Sequence, residues 1–194
     1  MADLLVPFAG DEAEELARKL IERFGSLGRA LAADPRQLRE AIGGHDAACA
    51  AISGARRLVS AAIDEEFVRA AVDGSDPALH SYLRSHLGSE ANERLHAIFC
   101  DERRGYIADE TVVSGSASRI EVRARPLIER ALALGATGFL IAHNHPSGLC
   151  QPSREDIDGT RRLDAVAQAL ELELVDHLIV TRRAVFSMRA GGLL

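Results

Sequence analysis

The sequence predicts an α/β protein: a mixed sheet with flanking helices, preceded by an all-helical module. Three observations carry that reading. The first 72 residues are rich in Ala, Leu, Arg and Glu, and their apolar residues recur at helical spacing. Later in the chain, short apolar stretches alternate with helical ones in the order β-β-α-β-α-β-β, as in layered α/β domains. Between the two regimes stands "VDGSDPALH", a cluster of turn formers that places the boundary at residues 74/75.

In the first regime, "DEAEELARKLIERFG" puts Leu16, Leu20, Ile21 and Phe24 on one helical face and stops at Gly25. "DPRQLREAIGG" is a second helix, with Asp34 as cap, Pro35 in the first turn and Gly43-Gly44 at the end. "DAACAAISGARRLVSAAIDEEFVRAAV" continues the pattern. After the boundary, "LRSHL" belongs to a short helix, and "RLHAIFCD" alternates like a strand with Leu95, Ala97 and Phe99 on one side. "ERRG" turns the chain into a second strand, "YIADETVVSGS". "RPLIERALALGA" is helical, "GFLIAHN" is a short buried strand, and "SREDIDGTRRLDAVAQALELE" is a helix. "LVDHLIVT" and "AVFSM" are the last two strands.

Composition narrows the function classes. Hydrophobic residues make up 47% of the 194, which suits a folded core rather than a disordered chain. The formal net charge is −6, and residues 1–80 hold 14 acidic and 9 basic side chains, unlike the basic footprint of a dedicated nucleic-acid binder. Cys49, Cys100 and Cys150 are odd in number and widely spaced, so they read as free thiols in a reducing compartment. With no leader pattern and no apolar run of membrane-spanning length, a soluble cytoplasmic protein without membrane partners is expected.

The chemistry concentrates in "AHNHPSGLCQPSREDI". His143 and His145 stand two apart at a strand end, so both imidazoles face one side, and Pro146 turns the chain away. Ser153 is the natural N-cap of the next helix, and Asp156 follows in its first turn. Ser-x-x-Asp by itself is close to an ordinary capping box, and a lone His-x-His is more often incidental. Together, a strand end and the following helix start can converge at a sheet edge, where two imidazoles and one carboxylate would form an open three-ligand zinc site.

That spacing matches the JAMM (MPN+) metalloprotease signature, and "HNHPSGLCQPSREDI" with "VDHLIV" downstream resembles the RadC family of JAMM-domain proteins. The resemblance spans roughly residues 90–194 and extends weakly to "RFGSLGRAL"; the chain departs from it in a shorter N-terminal module and in "LCQ" within the loop. It implies a JAMM-type, cytidine-deaminase-like mixed sheet and a zinc metallopeptidase acting on amide or isopeptide bonds of a peptide or protein. It implies His143, His145 and Asp156 as Zn2+ ligands, with water in the fourth position. Ser153 would donate to the oxyanion, and an upstream glutamate would be general base. Glu110, on the second strand, is favoured over Glu121, in the connection that follows.

Other residues read more plainly. Cys150 has no Cys-x-x-Cys partner and reads as a free thiol. His177 is either a support behind the site or a histidine satisfied in the core, the second being simpler. A zinc nucleobase deaminase would need His-x-Glu and Pro-Cys-x-x-Cys, which the chain lacks. A different class of function is a DNA-repair-associated, DNA-binding or accessory protein whose metal site does not turn over. It would use "AIGGHDAAC" as a helix-hairpin-helix turn facing phosphate, against the acidic charge of that module.

Overall fold

The computed structural model of the protein describes residues 1–31, 33–114 and 123–194. Two compact units divide between Ala62 and Ile63, inside one long helix, while the change in composition falls twelve residues later.

The first unit is helical. Helix α1 (Ala2–Ala9) leads through a 3-10 turn into α2 (Ala13–Phe24), α3 (Leu27–Leu31), α4 (Pro35–Ala41) and the start of α5 (Asp46–Arg69). Its core gathers Leu5, Leu16, Leu20, Leu38 and Ile52. An expected stop and an expected cap are both present: Gly25 takes φ +80 at the end of α2, and the Asp34 carboxylate accepts the Arg36 N–H at 2.8 Å at the start of α4. Ile21 departs from expectation and is 41% exposed. The buried stripe of α2 runs through Ala13, Leu16, Ala17 and Leu20, because alanines let neighbouring helices approach on that side.

The second unit holds the rest of α5, then α6 (Pro77–Leu87), β1 (Arg94–Cys100), β2 (Tyr106–Ser114), α7 (Ala124–Leu134), β3 (Gly138–Asn144), α8 (Arg154–Ala169), β4 (Glu173–Val180) and β5 (Val185–Ser187). The expected alternation of strands and helices is observed. The strands form one mixed sheet in the order β2-β1-β3-β4-β5. β1 is antiparallel to β2 and β3, β3 is parallel to β4, and β5 closes back antiparallel on β4. Both sheet faces are covered. Ile98, Leu140 and Leu178 pack with Phe67, Leu79 and Leu83 on one side, while Leu95, Phe99, Phe139 and Ile141 pack with Leu127 and Leu163 on the other. This explains why "GFLIAHN" reads as an unbroken apolar run: all seven residues of β3 are buried. Among the described residues no helix is long and apolar enough to cross a membrane.

The first of these faces also buries a polar cluster. The Asp109 carboxylate accepts the Tyr82 hydroxyl at 2.6 Å and the Tyr106 hydroxyl, and lies 2.8 Å from His96 Nε2. Burial alone would raise the Asp109 pKa, but His96 and the two hydroxyls hold it well below the usual carboxylate range. Phe67 stacks on Tyr82 with ring centroids 4.4 Å apart, so an aromatic wall seals the group.

The segment that reads as a linker is packed. Asp76 caps α6 by accepting the Ala78 N–H at 2.7 Å. Gly74 lies against buried Asp176 of β4, where a Cβ would come within 2.1 Å of Oδ2. Asp176 is itself occupied: it accepts the N–H groups of His177 and Arg189 and the hydroxyl of Ser187. Gly74→Ala is therefore expected to lower the unfolding free energy by about 1–3 kcal/mol, the usual cost of overpacking, measured by urea denaturation.

Candidate metal centre

The last hydrogen bond between β3 and β4 joins the His145 N–H to the Val180 carbonyl at 2.9 Å. The two-residue period of β3 therefore persists through His145, and His143 and His145 face the same side. Their Nε2 atoms are 2.9 Å apart. The start of α8 supplies the third group. Asp156 places Oδ1 3.4 Å from His143 Nε2 and Oδ2 3.6 Å from His145 Nε2. Among the described residues these three form the one group of His, Cys, Asp or Glu side chains arranged to hold an ion.

The set fits zinc. Ligand atoms about 2.0–2.1 Å from a tetrahedral ion lie about 3.3 Å from one another, and the observed separations bracket that value. The His145 ring is turned for the purpose. Its Nδ1–H donates to the Leu149 carbonyl at 2.8 Å, so its Nε2 bears the lone pair whenever the ring is neutral. Three protein donors leave a fourth position open, as in catalytic rather than structural zinc sites.

The serine expected at the helix start makes a complete cap. Ser153 Oγ accepts the Asp156 N–H at 3.1 Å, and the Ser153 N–H donates to Asp156 Oδ2 at 2.7 Å. The Ser153 hydroxyl donates to the same Oδ2 at 2.6 Å. The cap therefore occupies Oδ2 and fixes the carboxylate plane, leaving Oδ1 to face His143.

Electrostatics distinguish the two imidazoles. His143 is 2% exposed; burial pushes its pKa down to about 4 against the pull of Asp156, with His145 adding to the depression. His145 shifts the other way, chiefly through its interaction with Asp156, with smaller help from the Leu149 carbonyl and from the charge of Glu93. Burial would raise Asp156, but His145, His143 and the Ser153 cap hold it well below the usual carboxylate range. Of the two rings, His145 is therefore the more basic.

The structure does not bring Glu110 to this group. Glu110 pairs with Ala97, two strands from β3 and two residues short of the His143 row. Its carboxylate accepts from Arg130 Nε at 3.1 Å. The expectation counted strands, and register sets it aside. Glu121 lies outside the described residues. Cys150 donates its thiol to the Ile179 carbonyl at 3.2 Å and is not one of the converging donors.

A further carboxylate acts on this group: the charge of Glu93, which the sequence reading missed, favours the charged form of His145. Leu95 pairs with His143, and Glu93 stands two residues before Leu95, just ahead of the start of β1 at Arg94. Buried Asn144 holds this segment beside the strand end. Its Oδ1 accepts the Arg94 N–H at 2.8 Å, and its Nδ2 donates to the carbonyls of Asn92 at 3.0 Å and Glu90 at 3.3 Å. A signal was present: Glu93 precedes Leu95, the first inward residue of "RLHAIFCD", by two. Which strand pairs with this one, and in what register, is not written locally in the chain.

Comparison with known proteins gives one family. Residues 74–193 match the RadC-like JAB domain. A UPF0758 protein from Leptothrix cholodnii is 34% identical over 93% of this chain and 81% of its own length. Relatives from Rhodobacter capsulatus, 33% identical over 94% of this chain, and Cupriavidus pinatubonensis, 35% identical over 98%, are each covered over 86% of their length and are also UPF0758 proteins.

Burial of His143 makes metal-free stability depend on pH. Its folded pKa lies below the unfolded value, so the folded state binds fewer protons, and stability falls as pH drops from about 6.5 toward 4. Thermal unfolding across that range, in chelator, is expected to show a loss of up to about 3 kcal/mol that His143→Leu removes.

Proposed function

The chain belongs to the RadC-like JAB domain family, and within it we propose a zinc-dependent hydrolase of amide or isopeptide bonds in a peptide or protein. The observation that carries the reading is the convergence of His143 Nε2, His145 Nε2 and an Asp156 carboxylate oxygen at separations suited to a tetrahedral ion with one open position.

Bound there, zinc would polarise a scissile carbonyl and make water acidic enough to act near neutral pH. The protein's own residues divide the remaining work. His143, His145 and Asp156 hold the ion. Glu93 takes the proton from the attacking water and returns it to the departing amine, replacing Glu110 in the role of general base. Asn144 keeps Glu93 in range by tying residues 90–94 to the strand end. The Ser153 hydroxyl can leave Asp156 for the oxyanion as charge develops on the attacked carbonyl. The Ser153 N–H keeps its own bond to Oδ2, so the cap survives that change.

Metal analysis tests the site. The parent is expected to bind about one zinc per chain, and the His143→Ala, His145→Ala double variant to lose most of it. Full retention of zinc by the double variant would refute the site.

The base is tested by a pair of variants. Glu93→Gln is expected to keep zinc and to lower turnover of an isopeptide or peptide substrate by about 10²–10⁴-fold. Glu110→Gln is expected to keep both. The reverse result would return the role to Glu110.

A further inference from the structure

Behind the candidate ligands runs a line of polar groups that the proposed chemistry does not use. His143 Nδ1 lies 2.7 Å from His177 Nε2. His177 Nδ1 lies 2.6 Å from Thr160 Oγ1. Thr160 Oγ1 lies 2.5 Å from the backbone carbonyl of Asp156. His177 and Thr160 are both fully buried, on β4 and α8, so no solvent competes for these bonds.

The protons in this line have one consistent arrangement. A carbonyl oxygen only accepts, so the Thr160 hydroxyl must donate to Asp156. The hydroxyl proton being committed, Thr160 Oγ1 accepts from His177 Nδ1–H. His177 is fully buried and its ring nitrogens meet Thr160 Oγ1 and His143 Nδ1, neither of them a carboxylate that would balance a charge, so the ring is neutral. A neutral ring with a proton on Nδ1 has its lone pair on Nε2. His177 Nε2 therefore accepts, and the proton of His143 resides on Nδ1. Each bond sets the sense of the next, from a backbone carbonyl to an imidazole.

We infer that Thr160 and His177 are positioning residues that fix the tautomer of His143, holding its Nε2 lone pair toward the metal position. The inference rests on the zinc reading of the site. It also gives the line a second effect. The chain starts on the backbone of Asp156 and ends on the ring of His143, so it ties two ligands from different elements to one set of bonds. His145 achieves the same tautomer separately, through the Leu149 carbonyl. Both rings thus present the same nitrogen, by different means.

Isosteric and conservative variants test it. Thr160→Val removes the hydroxyl at nearly constant volume, and Thr160→Ser restores it. His177→Leu removes the acceptor for His143, and His177→Gln returns an acceptor oxygen near the Nε2 position. Zinc affinity is read by competition with a chromophoric chelator, and the tautomer of His143 by ¹⁵N NMR of the metal-free protein. Thr160→Val and His177→Leu are expected to weaken zinc binding about 10–100-fold, with Ser and Gln recovering most of it. The parent is expected to show His143 protonated on Nδ1. Parent affinity in Thr160→Val, or a parent His143 protonated on Nε2, would overturn the inference and leave the metal site standing. A parent that binds no zinc would refute the proposed function instead, and the tautomer measurement would still decide the relay. Thr160→Val keeps the test open should His177 variants fail to fold.

Discussion

The arrangement of the site depends on where and how β3 ends. The His145 N–H bond to Val180 carries the ladder past the last strand residue, and Pro146 then diverts the chain. That one bond keeps two histidines in phase on the α8 face. It also sends Asn144 the other way, where it fastens the segment ahead of β1. Had the ladder stopped at His143, His145 would have followed the loop, and its Nε2 would not share a position with His143. A strand's period of two is ordinary; here it is extended by one hydrogen bond into the loop that carries the chemistry.

The energetic problem at this point is crowding of like groups. Two imidazole nitrogens at 2.9 Å repel if both bear lone pairs, and repel more if both rings are charged. A proton or a cation between them resolves the conflict, and Asp156 compensates either one. The carboxylate can do this without leaving the helix because its other oxygen already satisfies the cap. Helix start and ligand are thus one structure: the bonds that end the orphaned N–H groups of α8 also aim the carboxylate.

Much of this was legible. The alternation of strands and helices, the cap at Ser153, and the convergence of His143, His145 and Asp156 all follow from periods and spacings that are local in the chain. What escaped was register and pairing. Glu110 lies on the second strand of the hairpin, but strand membership does not specify a row, and its carboxylate meets Arg130. Glu93 lies ahead of any strand the sequence outlines, and its position depends on an antiparallel partner 50 residues away. His177 read more simply as a core histidine, and it is one by burial, yet its ring touches a candidate ligand. Gly74 read as linker because Gly, Ser, Asp and Pro cluster there. Its requirement for a missing side chain comes from Asp176, a hundred residues later. Ile21 failed for a different reason: two alanines, weak as apolar signals, define the inward face of α2.

The Asp109 cluster on the other side of the sheet bears on how faithfully the chain folds. β2 carries Asp109, Glu110 and Thr111 at its centre, so hydrophobicity alone sets its alignment on β1 only weakly. Moving β2 by one residue against β1 would carry Asp109 to the face that packs on α7 and α8, away from Tyr82 and from His96. In the native alignment Tyr82 of α6 and His96 of β1 meet that acid, beside Tyr106 of its own strand. The cluster therefore acts as a key that only one pairing can turn. Leu95 of β1 pairs with His143, so the strand that receives Asp109 on one face lines the candidate metal centre on the other.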